Sequence, residues 1–145
     1  MTSWTEPRKA SLGTILVVES DHFLRCASED FLQDVGFTML GARNADDAIT
    51  LLDSRSNVSL VLTSINMPGS MDGVGLANIV RSRWPQIKIM VVSGKGKPSD
   101  LPPDSRFLAK PYCVEDMISQ VCSLLGVVPH TKNELFCSDF GPRTV

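Results

Sequence analysis

The chain has 145 residues, of which 43% are hydrophobic and 21% charged, and its formal net charge is −2. That length suits one compact domain and is too short for two comfortable ones. The slightly acidic balance gives no broad electrostatic reason to bind nucleic acid or an anionic membrane.

Residues 1–13, which include Pro7 and Gly13, read as an N-terminal arm, too polar to hold the apolar core of a secretory signal. Thr14 to Val18 (TILVV) is a β-branched run typical of a strand buried on both faces. A helix follows, with Ser20 or Asp21 as its cap and Gly36 as its stop. Its helical spacing places Leu24, Ala27, Phe31 and Val35 on the inner face. FTMLGA is the second strand, and the helix after it has an Asn44 cap with Ala45, Ala48, Ile49 and Leu52 along one side.

VSLVLT, from Val58, is the third strand. Beyond a Pro-Gly loop, Asp72 opens a helix that carries Leu76, Ile79, Val80 and Arg83 and stops at Pro85. Ile87 to Val92 and Arg106 to Ala109 are the fourth and fifth strands. The segment between them, SGKGKPSDLPPDS, is too rich in proline and glycine for a full helix and is predicted to be a loop. A last helix spans about Cys113 to Leu125, with Met117, Ile118, Val121, Leu124 and Leu125 facing inward and Gly126 ending it.

The domain is therefore expected over residues 14–126, with 127–145 as a C-terminal tail that is either partly ordered, with Phe136 and Phe140 docked on the domain or a partner, or disordered. No apolar run approaches the ~18–20 residues needed to span a bilayer. Cysteines at 26, 113, 122 and 137 form no CxxC pair, which fits a reducing, cytoplasmic setting, with Cys26 and Cys122 as small core residues. Arg81, Arg83, Lys88, Lys95 and Lys97 lie close together in sequence and read as a solvated face.

Apolar strands alternating with amphipathic helices indicate a doubly wound α/β domain, a parallel sheet covered on both faces. In such a sheet the chemistry gathers outside the carboxyl ends of the strands. Those ends carry Glu19, Ser20 and Asp21, then Ser64, then Ser93, then Lys110 and Pro111. The loop SGKGKP does not satisfy the phosphate-binding pattern, because Pro98 stands where Ser or Thr is needed.

The pieces ILVVESD, LVLTSINMPGSMDG, VVSG and FLAKPY, in that order, resemble the receiver domain of bacterial two-component response regulators. The resemblance implies a flavodoxin-like sheet of five strands in the order 2-1-3-4-5, here with the fourth helix shortened or replaced by a loop. It also implies roles for single residues. Glu19 and Ser20 fall at the positions of the Mg²⁺-binding acidic pair, and Ser64 at that of the phosphoacceptor aspartate. Ser93 takes the place of the switch hydroxyl, Phe107 of the switch aromatic, and Lys110 of the phosphoryl-binding lysine, with Pro111 as a candidate cis-proline.

Two of those positions depart from the family pattern. A serine hydroxyl, unlike an aspartate, needs a general base to act as a nucleophile, and Mg²⁺ is usually held by one or two carboxylates. With Glu19 the only ligand candidate left, Mg²⁺ binding is expected to be weak or absent, and no cofactor is expected. The expectation is a non-enzymatic, stand-alone receiver-like signalling protein with a degenerate phosphorylation site. It would bind a histidine kinase, a phosphotransfer protein or another regulator, with a homodimer also open. The alternatives are a conventional phosphoacceptor that uses an atypical acid such as Asp21, and a small enzyme on a flavodoxin-like sheet.

Overall fold

The computed structural model describes residues 10–130. The docking expected of Phe136 and Phe140 concerns residues outside that range. Five strands and four helices alternate: β1 (Thr14–Val18), α1 (His22–Asp34), β2 (Thr38–Ala42), α2 (Ala45–Ser54), β3 (Val58–Ser64), α3 (Gly73–Arg83), β4 (Lys88–Ser93), β5 (Arg106–Ala109) and α4 (Val114–Leu125). The strands form one parallel sheet in the order β2-β1-β3-β4-β5.

Because side chains alternate along a strand, each central strand feeds two cores at once. Leu16 and Val18 of β1, Val61 of β3 and Ile89 and Val91 of β4 face α2 and α3, where they meet Ala48, Leu52, Leu76 and Val80. Ile15, Val17, Leu60, Leu62, Met90 and Val92 point the other way, onto Leu32, Met117, Ile118 and Val121 of α1 and α4. All five residues of β1 are buried. This burial on both faces explains why the middles of β1, β3 and β4 are continuous apolar runs, residues 15–18, 60–62 and 89–92.

The helix boundaries follow from their caps. Asp21, Asn44 and Asp72 each accept a hydrogen bond from a backbone N–H in the first turn of α1, α2 and α3. Gly126, in the left-handed conformation, closes α4.

The inner face of α1 differs from the sequence expectation. Leu32 and Val35 are buried and Ser28 is half-buried, whereas Leu24 is 49% exposed and Ala27 lies outside. Two apolar stripes overlap on this helix. The stripe that faces the sheet admits Ser28, which lines the cavity at the rim. Cys122 is buried, while Cys26 is only half-buried.

The stretch between β4 and β5 contains no helix. It is held from α3, where Arg81 donates through Nε to the Pro103 carbonyl at 3.1 Å and Asn78 donates to the Asp100 carbonyl at 3.2 Å. The chain ends of the domain are also tied down. Leu12 packs against the α1/α4 core, and the His130 N–H donates to the Val35 carbonyl at 2.8 Å.

Candidate functional site

β1, β3, β4 and β5 end on the same side of the sheet, and their last residues form its carboxyl rim. Glu19 follows β1 and is locked by its backbone, its N–H donating to the Ala42 carbonyl and its own carbonyl accepting from Arg25 Nη1 at 2.8 Å. Its Oε2 accepts the Asp21 N–H at 2.9 Å, and its Oε1 lies 4.0 Å from Lys110 Nζ. At that separation the ion pair is loose, and Lys110 remains 37% exposed. Ser20 is exposed, and Asp21 spends its carboxylate on the helix cap, accepting the Leu24 N–H at 3.1 Å.

Ser64, the last residue of β3, lies beside Val92 and is only 9% exposed. Its Oγ is withdrawn from solvent and has no hydrogen-bond partner among the described residues. The backbone around it is tightly packed. Thr63 Oγ1 donates to the Ser64 carbonyl at 2.8 Å, and the Gly73 N–H donates to the Ile65 carbonyl at 2.8 Å. A Cβ on Gly73 would stand 2.0 Å from the Ser64 carbonyl oxygen, so only glycine fits where α3 meets the end of β3.

Ser93 is buried, and its hydroxyl accepts the Lys95 N–H at 3.0 Å, which shapes the start of the proline-rich loop. Its carbonyl accepts the Lys110 N–H at 2.9 Å, and the Lys110–Pro111 peptide is cis. Phe107 is half-buried and packs against the α2/α3 core.

The fold thus brings Glu19, Ser64 and Lys110 to one small cavity of about 40 Å³. That is room for about three waters or a guest of similar size. Ser20, Ser93 and Phe107 do not line it. Two of its lining residues carry no sequence signal of their own, Ser28 on α1 and Tyr112 after the cis-proline. They face the same cavity, joining positions far apart in the chain. Burial pushes the Tyr112 phenol above its usual value, the Ser28 hydroxyl opposes this, and the Glu19 charge adds to it.

The family model described as the response regulator receiver domain matches residues 15–121. The chain belongs to the response regulator receiver family. This receiver is 31% identical over 116 residues to the response regulator receiver protein CpdR of Brucella abortus, a match covering 77% of the chain and 95% of CpdR. It is 29% identical over 126 residues to the response regulator protein FleR of Pseudomonas aeruginosa, covering 83% of the chain. The receiver spans only 26% of FleR and 12% of the sensor kinase CckA of Brucella abortus, which it also matches. Among solved structures, a response regulator receiver protein from Sinorhizobium medicae superposes with a TM-score of 0.74 at 30% identity, covering 81% of this chain and 96% of that one.

The flavodoxin-like expectation, five parallel strands in the order 2-1-3-4-5, therefore stands, and so does membership of a two-component signalling family. Among the described residues no helix is long and apolar enough to cross a membrane.

Proposed function

We propose that this receiver acts in two-component signalling by binding a partner protein without accepting a phosphoryl group, with Ser64 standing where the family carries its aspartate. One observation carries the reading. The side chain that ends β3 is a neutral hydroxyl, enclosed and touched by no general base. An alcohol in that setting is a poor nucleophile, because nothing removes its proton as the bond forms. Glu19, the one carboxylate that lines the cavity with Ser64, is already engaged by the Asp21 N–H and faces Lys110.

The donor set does not fit a resident Mg²⁺. Glu19 supplies one carboxylate, whereas Ser20 and Ser64 supply neutral hydroxyls, and Ser64 Oγ is enclosed. Among the described residues no three His, Cys, Asp or Glu side chains cluster as metal ligands do. The alternative acceptor, Asp21, is committed to capping α1.

A protein-contact role draws support from the surface beside the rim. Phe23 and Leu24, in the first turn of α1, are 82% and 49% exposed, and Val114, in the first turn of α4, is 39% exposed. Apolar side chains of this size left in water near a functional rim are what a partner covers. The class of partner proposed is a histidine kinase, a phosphotransfer protein or another regulator.

Intact mass after incubation with acetyl phosphate and Mg²⁺ tests the proposal, with the Ser20→Asp/Ser64→Asp variant beside the natural chain. The natural chain should stay unmodified while the variant gains a phosphoryl group. A phosphorylated natural chain would overturn the reading, and mapping the modified residue would show which side chain had served instead.

A further inference from the structure

A larger cavity of about 370 Å³ lies at the end of the sheet away from the rim, where β4 and β5 begin. Three cations line it, Arg81 from the last turn of α3, Lys88 from the start of β4 and Arg106 from the start of β5. The one carboxylate in its lining is Asp104. Three cations less one carboxylate leave a local charge of +2, on a chain whose formal total is −2.

Three bases of the molecule stand beside acids. Arg43 faces Asp47, Arg83 faces Asp53 and Lys110 faces Glu19. Among the described residues, Arg81, Lys88 and Arg106 have no carboxylate oxygen within 4.0 Å. Two of the three are nevertheless held in place. Arg81 donates to the carbonyls of Pro103 at 3.1 Å, Pro85 at 3.0 Å and Ile87 at 3.4 Å. Arg106 is fixed by Gln120 of α4.

Carbonyls and a side-chain amide orient a guanidinium without neutralising it. The positive charge is therefore preorganised, and a ligand would not have to freeze these side chains on binding. Lys88 is exposed and has no side-chain partner among the described residues, which leaves a mobile cation at the mouth. The volume falls within the ~300–1,000 Å³ of small-molecule sites.

We infer that this cavity binds a small multivalent oxyanion, of the phosphate or the carboxylate type. The site lies at the opposite end of the strands from Ser64 and Lys110, so it stands or falls independently of what happens at the rim.

An amide NMR titration of the full chain tests this, with pyrophosphate and citrate added separately against sodium chloride of matched ionic strength. Saturable shifts at Lys88, Ser105 and Arg106 are expected, with a Kd below ~1 mM for at least one of the two. Pyrophosphate alone would identify a phosphate site and citrate alone a carboxylate site. Lys88→Gln and Arg106→Gln should each weaken binding about tenfold or more, the size of a lost charge-assisted contact. Lys88 makes no side-chain bond in the fold, so Lys88→Gln decides the matter should Arg106→Gln unfold. Non-saturating shifts, shifts confined to Ser93 and Lys110, or equal affinity in Lys88→Gln would overturn the inference.

Discussion

Tyr112 and Ser28 line the cavity at the rim together, and Tyr112 packs the segment after the cis-proline against the α1/α4 core. Burial makes the phenolate costly, so the folded chain holds the Tyr112 proton to a higher pH than the unfolded chain does. Stability from this group is thus fully present below the ordinary value of 10.0 and is lost as pH rises through the higher folded value. Tyr112 is the only tyrosine, which makes the measurement direct. Ultraviolet titration of the native chain should place the phenolate midpoint above that of the chain in urea. A native midpoint at or below the unfolded one would show that burial does not hold the phenol proton. The Ser28 contact could not be read from local sequence, because no periodicity joins α1 to a residue beyond β5. The rim positions of Glu19, Ser64 and Lys110 could be read, because each simply follows an apolar run that a buried strand requires.

Among the elements, α1 separates what periodicity can establish from what it cannot. Its existence and ends follow from the Asp21 cap and from Gly36. Its orientation does not, because Leu24 and Phe31 on one stripe and Leu32 on another are equally apolar. Packing resolves the choice. Leu32 has no exposed surface and sits among Val17, Val35 and Phe37, whereas Leu24 is left half in water. Truncating Leu32→Ala should therefore cost about 2–5 kcal/mol in urea denaturation. The same change at Leu24 should cost less than about 1 kcal/mol. Equal losses at the two positions would mean that α1 is rotated about its axis, with Leu24 turned toward the sheet. The proline-rich stretch before β5 was legible as non-helical from composition alone. Its anchoring to Arg81 and Asn78 of α3 was not, because carbonyl acceptors carry no side-chain signature.

At the scale of the whole molecule, two hydrophobic cores share one sheet. Every central strand contributes to both, so neither core can be dismantled while the other keeps its floor. Each core has its own optical reporter. Trp84 packs against the α2/α3 core and Tyr112 against the α1/α4 core. In a Trp4→Phe background, which leaves a single tryptophan, denaturant midpoints from Trp84 fluorescence and Tyr112 absorbance should coincide. Separated midpoints would mean that the two layers melt as independent units.

The absent side chain of Gly73 has a mechanical consequence. With less than a carbon atom's clearance between that position and the Ser64 carbonyl, and with the Gly73 N–H bonded to Ile65, strand end and helix start are effectively hinged without slack. The spacing between the end of β3 and the start of α3 is thereby fixed, and α3 runs from that contact to Arg81, Arg83 and Trp84 at its other end. Any side chain at position 73 would have to part the strand end from the helix start before the sheet could close over α3.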